Sequence, residues 1–212
     1  MTSYPKTTIR RAAWAGALLL ASGAANAALC TGVSPGTSST SDVALGGFSS
    51  DQCVVSTVNP QQGAGGNTSG FSTQFGGGWS LLSKIDAAGN ITPNPATFGG
   101  VTFNLSFAQA SGKTGTWSLV TDKTATFDLV FAMHASNRSD AFLFDDETTV
   151  ANVVENGTWQ IKWINAGGQV PNYSNLTLFV RDVVVTPVPE PETWAMLVAG
   201  LGAIGFMRRR SA

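Results

Sequence analysis

His134 is the single histidine of this 212-residue chain, so any Ser–His–Asp mechanism would have to use it. It follows an apolar run at the end of a predicted strand. No G-x-S-x-G elbow between a predicted strand and a predicted helix supports a serine nucleophile. The H-E-x-x-H pattern of a zinc protease is absent from the sequence. We therefore expect His134 to be a solvated strand-end residue, and we predict no catalytic residue and no enzymatic activity.

The densest acidic cluster is Asp145, Asp146 and Glu147. Hard cations such as Ca²⁺ prefer several carboxylate oxygens, so this cluster could contribute to a cation site, with Asp140 joining it if the hairpin folds back. Consecutive strand residues point to opposite faces, however, and three acids in a row converge only on a loop. The expectation is a solvated turn, with no metal and no cofactor.

Carbohydrate chemistry offers two further candidates. A glycosidase needs two opposed carboxylates about 5–9 Å apart; Asp128 and Glu155 can be nominated, but nothing in their sequence context selects them. Exposed aromatic side chains could stack on sugars in a lectin-like site. Trp117, Trp159 and Trp163 nevertheless occupy alternating strand positions, where packing in the core is expected.

Cys30 and Cys53 are the only cysteines, and both lie close to the N-terminus. In an oxidising compartment an isolated pair of this kind forms a disulfide. A metal site would need three or four ligands, and a chain with one histidine and two cysteines offers few. We therefore predict a Cys30–Cys53 disulfide that attaches a Ser/Gly-rich N-terminal arm to the fold.

The elements that must position these residues are strands. Every second residue is apolar over residues 101–107, and the same alternation recurs over residues 127–133 and 159–163. Gly- and Asn-containing turns separate these runs, which predicts an all-β fold, an antiparallel β-sandwich of jelly-roll or Greek-key type. The expected core residues are Phe103, Leu105, Phe127, Leu129, Phe131, Trp159, Ile161 and Leu178.

Two other segments of the middle region are distinctive. Residues 61–78 are rich in Gly, Ser, Thr, Gln and Asn, and they predict a flexible surface loop. The triplet Gly-Thr-Trp occurs at residues 115–117 and again at residues 157–159. Two copies are too few for a solenoid, so they predict two equivalent strand starts in the sandwich.

The N-terminus has the three parts of a secretory signal peptide. A positively charged segment within residues 6–11 precedes an apolar segment at residues 12–23. Ala25 and Ala27 then form an A-x-A site, with cleavage expected before Ala28. Residues 1–27 are therefore predicted to be a signal peptide that forms a helix and directs the chain to the Sec machinery.

The C-terminus also has three parts in a fixed order: a Pro-Glu-Pro motif, an apolar stretch at residues 194–207 and an arginine cluster that would stop transfer. The stretch has 14 residues, about 21 Å of helix, whereas a hydrocarbon core is about 30 Å thick. The short stretch therefore predicts a transmembrane-like helix that acts as a sorting signal and holds the chain in the membrane only transiently. The assigned residues are Val188, Pro189, Glu190 and Pro191 for the motif, Trp194, Leu197, Leu201, Ile204 and Phe206 for the membrane segment, and Arg208, Arg209 and Arg210 for the stop-transfer cluster.

This tail resembles the PEP-CTERM sorting signal of Gram-negative bacteria, which a membrane protease-transpeptidase called exosortase recognises at the Pro-Glu-Pro motif. The resemblance extends more loosely over residues 101–212, through the second Gly-Thr-Trp, residues 142–144 and residues 174–179; the usual Lys and His positions of that pattern are occupied differently. It implies exosortase as a partner, transient membrane anchoring, and a final place at the cell surface or in an extracellular polysaccharide matrix.

The predicted organisation is a signal peptide at residues 1–27, a cargo domain at residues 28–186 and a sorting signal at residues 187–212. The cargo domain contains six Lys and Arg against eleven Asp and Glu, a formal charge of −5. This balance argues against nucleic-acid binding, which needs clustered cations. The leading hypothesis is a non-enzymatic exported protein associated with exopolysaccharide. A carbohydrate- or surface-binding adhesin module and, third, an extracellular hydrolase are the alternatives.

Overall fold

A computed structural model of the chain describes residues 27–32 and 37–186, together with Met196, Val198, Ala199 and Leu201. The predicted signal helix lies outside the described residues, and so does most of the predicted C-terminal helix. The four separately described residues are helical. Within the described part of the chain, no helix has the length and apolar character needed to span a membrane.

Thirteen strands make up the described domain, in two sheets. The seven-stranded sheet has the order β1-β4-β11-β10-β13-β5-β6, and the six-stranded sheet has the order β3-β2-β12-β9-β8-β7. In chain order the strands are β1 (Thr31–Gly32), β2 (Val43–Leu45), β3 (Phe48–Ser49), β4 (Gln52–Ser56), β5 (Ser80–Ile85), β6 (Ile91–Thr92), β7 (Ala96–Phe98), β8 (Val101–Ser111), β9 (Thr114–Thr121), β10 (Ala125–Ala135), β11 (Arg138–Thr149), β12 (Glu155–Gln160) and β13 (Asn175–Val185).

Strand pairing is antiparallel throughout the described sheets, except that β1 runs parallel to β4. Two short helical turns, Thr40–Asp42 and Ser72–Phe75, complete the described elements. The prediction of an antiparallel-rich β-sandwich is therefore confirmed. The jelly-roll or Greek-key subtype stays a prediction.

The main core lies between the two sheets. Phe103 of β8 meets Phe127 of β10 edge-on at a centroid distance of 5.1 Å, and Trp117 of β9 lies 4.9 Å from Phe131 of β10. All eight residues predicted to form the core are buried in this one cluster. The prediction was wrong in one detail: β12 ends at Gln160, so Ile161 and Trp163 are buried from the connection that follows the strand.

A second, smaller core covers the outer face of the seven-stranded sheet. Phe71 and Phe75 are buried there, and the ring of Phe71 lies 5.2 Å from that of Phe179 on β13. These phenylalanines belong to the Gly-rich segment that the sequence predicts to be a surface loop. The segment is therefore a packed cover over β10, β11 and β13, because its two aromatic side chains bury what the sheet would otherwise expose.

Candidate functional site

His134 lies at the end of β10 and is half-buried. Its Nδ1 is 2.7 Å from the hydroxyl oxygen of Ser139, which occupies the directly opposite position on β11. Burial lowers the pKa of His134 because an imidazolium ion is poorly solvated there. The prediction of a solvated strand-end histidine is thus wrong in part: the residue is at a strand end, but it is partly buried and hydrogen-bonded.

The His134–Ser139 pair has the first two groups of a catalytic triad and lacks the rest of the arrangement. Asp140 follows Ser139 on the strand, so its side chain points to the opposite face of the sheet. There it is fully buried and accepts a hydrogen bond from Nε of Arg138 at 3.0 Å. Ser139 is itself buried, with 4% of its surface exposed. The geometry is that of a structural hydrogen bond.

The letters of the G-x-S-x-G motif do occur at residues 32–36. The serine of that match, Ser34, lies outside the described residues, and Pro35 follows it directly in the sequence. A nucleophile elbow places its serine between a strand and a helix. In the described residues the strand β1 has only two residues, Thr31 and Gly32, and the helical turn at Thr40–Asp42 has three.

Asp128 lies where two β-bulges meet. On β11, Asp145 and Asp146 together oppose Asp128, while on β13 the register shifts beside Arg181. The Asp128 carboxylate accepts the backbone N–H of Asp146 at 2.9 Å and the Nε of Arg181 at 2.7 Å. Glu155 begins β12 in the other sheet. The two carboxylates nominated for glycosidase chemistry therefore lie in different sheets. Asp128 also forms an ion pair with Arg181.

The Asp145–Glu147 cluster lies at a bulge within β11, so the prediction of a solvated turn was wrong. Asp146 adopts a positive φ of 52°, which breaks the simple alternation of faces. Burial and then the neighbouring carboxylates of Asp128 and Asp146 raise the pKa of Asp145. Burial and then Glu155 raise the pKa of Glu147. Across the described residues, no group of three or more His, Cys, Asp or Glu side chains could hold a metal ion.

A cleft of about 690 Å³ lies beside this cluster. Its lining includes Asp51, Asp145, Glu147 and the ring of Phe48, which is 77% exposed. The backbone N–H of Asp145 donates to the Asp51 carboxylate at 2.8 Å, which joins the two sides of the cleft. An exposed aromatic ring next to carboxylates combines an apolar surface with polar groups, as small-molecule binding sites do.

The predicted cleavage point opens onto the same cleft, which Ala27 and Ala28 help to line. The backbone N–H of Ala28 donates to the Thr40 hydroxyl group at 3.2 Å, and its carbonyl accepts the N–H of Thr40 at 2.9 Å. Ala28 is therefore held against the domain by two hydrogen bonds to Thr40. Ala25 lies outside the described residues.

The predicted disulfide is present. Cys30 and Cys53 are joined by an S–S bond of 2.00 Å, and both residues are buried in the main core. Cys53 lies on β4 opposite Phe142 of β11. The bond therefore fixes the N-terminal arm to the seven-stranded sheet.

The tryptophans proposed as sugar platforms are core residues instead. Trp117, Trp159 and Trp163 are all buried, and Arg138 lies over the ring of Trp163 at 5.5 Å. Trp79 is covered by the guanidinium group of Arg181 at 4.1 Å. The described residues therefore contain no row of exposed coplanar aromatic rings of the kind a lectin-like platform needs.

The described residues form a disulfide-linked β-sandwich whose last strand, β13, ends at Val185, shortly before the C-terminal segment of the sequence. The profile of the PEP-CTERM protein-sorting motif matches that tail at residues 187–211. The chain therefore carries this sorting signal, as the sequence resemblance predicts. The motif implies exosortase as the processing partner, and it implies export and transient membrane anchoring before display at the cell surface. No curated protein and no solved structure matches the chain.

The sorting residues themselves, Val188 to Pro191 and the arginines at 208–210, lie outside the described residues. Of the predicted membrane segment the structure describes Met196, Val198, Ala199 and Leu201, and the three larger side chains are 74%, 67% and 62% exposed. Those side chains do not contribute to the core of the sandwich. Trp194, Leu197, Ile204 and Phe206 lie outside the described residues.

Proposed function

We propose that this chain is a non-enzymatic exported protein, sorted by exosortase through Glu190 and its neighbouring prolines and then held at the cell surface or in an extracellular matrix with exopolysaccharide. Its leader at residues 1–27 is taken by the Sec machinery and removed before Ala28. The single observation that carries the proposal is the match of residues 187–211 to the PEP-CTERM protein-sorting motif.

The way the domain ends supports a removable tail. The backbone N–H of Thr186 donates to the carbonyl of Thr124 at 2.9 Å, so the domain is hydrogen-bonded up to the residue before the motif match begins. A domain that packed on its tail would lose about 25 cal/mol for each Å² of apolar contact on cleavage. The exposed side chains of Met196, Val198 and Leu201 avoid that loss.

The non-enzymatic part of the proposal draws support from the His134 environment. Ser139 is buried and Asp140 is paired with Arg138, so neither group is available to a substrate. The hydrolase hypothesis accordingly ranks last.

The sorting step is tested by Glu190→Ala in a host that carries an exosortase. Loss of the motif carboxylate should leave an unprocessed, membrane-associated chain, detected as a larger species in the membrane fraction. Glu192→Ala is the matched control, because it removes a carboxylate two residues away and leaves Pro-Glu-Pro intact. A Glu190→Ala chain with unchanged size and location would contradict exosortase recognition.

The alternative function is carbohydrate binding, and the cleft beside Phe48 is the observation that favours it. Aromatic rings beside hydrogen-bonding side chains bind sugars by stacking and by polar contacts. The processed protein should then retain exopolysaccharide on a glycan panel, and Phe48→Ala should weaken that retention. Ile164→Ala is the control, because Ile164 is also exposed but lies outside the cleft. Equal retention by the unchanged protein, Phe48→Ala and Ile164→Ala would show that the cleft does not bind the polysaccharide.

A further inference from the structure

Exposed apolar side chains are concentrated at one end of the sandwich. Eight large apolar side chains are exposed within residues 27–186, and five of them are valines at the end where β11 and β13 finish. We call this surface the valine end: Val150, Val153, Val154, Val184 and Val185, which are 52%, 44%, 51%, 63% and 38% exposed.

The valine end is one surface, although its residues come from two separate segments. Thr149 of β11 and Val185 of β13 are both register partners of Ala125, so they flank the start of β10 about 10 Å apart. Thr124 holds both segments: its hydroxyl group accepts the N–H of Ala151 at 3.1 Å, and its carbonyl accepts the N–H of Thr186 at 2.9 Å.

The sorting tail leaves the domain from this surface. Seven residues, 187–193, separate Thr186 from Trp194 at the start of the apolar stretch. A fully extended chain of that length reaches at most about 25 Å. While the apolar stretch is in the bilayer, the valine end is therefore held within about 25 Å of the start of that stretch.

Three charged groups near the valine end have partners within the protein, whereas the carboxylate of Glu155, which follows Val154, lies near that of Glu147. The Asp122 carboxylate accepts the N–H of Thr102 at 2.7 Å, and the Lys123 ammonium group donates to the carbonyl of Gly100 at 2.6 Å. Asp182 is paired with Arg181 at 3.4 Å. The surface has no cluster of cations to select anionic lipid, so its attraction to a membrane is apolar.

We propose that the valine end contacts the phospholipid interface of the membrane while the tail is still attached. This contact would fix the orientation of the domain relative to the membrane during sorting. The inference rests on the proposed membrane-anchored stage. The described tail side chains of Met196, Val198 and Leu201 are exposed, so these three do not cover the valine end. Apolar groups at the boundary between headgroups and acyl chains gain stability in proportion to the area they bury.

The test uses the exported chain with its tail and without its leader, residues 28–212, reconstituted in phosphatidylcholine vesicles, with an environment-sensitive fluorophore on Val154→Cys or, separately, on Val184→Cys. Ile164→Cys is the matched control, because it is 61% exposed and follows β12 at the opposite end of the sandwich. Doxyl-labelled lipid should quench the fluorophore at positions 154 and 184 by about twofold or more and leave position 164 within about a tenth of its unquenched value. Equal quenching at all three positions, or none, would overturn the proposal.

Flotation and the emission wavelength of the fluorophore show which part of the proposal has failed. Flotation of the chain with the vesicles reports the anchored stage, so a chain that does not float contradicts the proposed function. A chain that floats with an unquenched fluorophore at 154 and 184 contradicts only the valine-end contact. Blue-shifted emission without lipid quenching would show a second copy of the chain, or its own tail, covering the surface, and would also overturn the proposal.

Discussion

The indole ring of Trp117 occupies the space that a side chain at Gly157 would need. The two residues are direct partners across β9 and β12, and a Cβ added to Gly157 would lie 2.2 Å from Nε1 of Trp117. The relationship is reciprocal, because Trp159 fills the same space over Gly115. The two Gly-Thr-Trp triplets therefore pair with each other, and each supplies the glycine that the tryptophan of the other requires.

Gly157→Ala should destabilise the domain by about 1–3 kcal/mol, because the added methyl group has no room in a close-packed core. It would also lie 2.4 Å from the backbone carbonyl of Ala44, which cannot rotate away. Urea unfolding with the disulfide intact measures the change. Gly77→Ala is the control, since its Cβ would meet no atom within 4 Å. Equal stability of the two variants would show that the tryptophan packing has been misjudged.

Replacing both cysteines, in Cys30→Ser with Cys53→Ser, should lower the free energy of unfolding by about 3 kcal/mol, because the open chain regains loop entropy in the unfolded state. Reduction of the natural protein should have a similar effect, and the double variant should not respond to reductant. Mass spectrometry under non-reducing conditions should find the Cys30 and Cys53 peptides joined. Two freely alkylated thiols in the exported chain would be the contrary result.

Glu147 should make the domain less stable as the pH rises. Its pKa in the fold is raised, first by burial and then by the Glu155 carboxylate, above the ordinary value of 4.5. Between the two pKa values the unfolded chain binds fewer protons than the folded chain, so the free energy of unfolding falls with increasing pH there. Glu147→Gln should flatten that part of the stability curve in urea titrations.

Asp122 is the control for Glu147, because its pKa is shifted in the opposite direction. Hydrogen bonding from the backbone N–H of Thr102 lowers the pKa of Asp122, so this carboxylate contributes stability that is lost as the pH falls. Asp122→Asn should therefore reduce stability at neutral pH and weaken the dependence on acid. If both variants changed the curve in the same direction, the assigned causes of the two pKa shifts would be wrong.

His134 should make the domain sensitive to mild acid. Its pKa is lowered from 6.5 by burial, so the unfolded chain takes up this proton first as the pH falls. Stability that is present above that value is then lost between about pH 6.5 and the lower pKa of the fold. His134→Gln should remove this loss, as followed by urea unfolding at several pH values.

Ser139→Ala separates the charge of His134 from its hydrogen bond. The variant should cost about 1 kcal/mol at every pH, because one buried hydrogen bond is lost, while the acid sensitivity from His134 persists. It should have no effect on hydrolysis of ester or glycoside substrates. A hydrolytic activity that disappears with Ser139→Ala would contradict the non-enzymatic proposal.

Strand periodicity was enough to predict the sandwich and its core. Phe103, Phe127 and Phe131 are buried because alternation along a strand fixes which residues share a face. The pairing of the two Gly-Thr-Trp triplets was beyond this reasoning. It depends on register between strands separated by more than thirty residues, and local pattern says nothing about which strands become neighbours.

The remaining differences also have non-local causes. Residues 61–78 have the composition of a loop, but Phe71 and Phe75 bury the outer face of a sheet formed by later strands. Arg181 then holds that cover by donating to the carbonyls of Phe75 at 2.7 Å and Gly77 at 3.1 Å. The bulge at Asp146 likewise follows from the partner strand, where one residue faces two.

The strands at the outer edges of the two described sheets are very short. β1, β3 and β6 have two residues each, and β7 has three. Exposed edges with free N–H and C=O groups allow one protein to add its strands to another, and two or three residues give such growth almost no template. We therefore expect the edge strands to contribute little to association when molecules of this domain are crowded side by side, and any such growth to begin on the part of β8 that extends beyond β7.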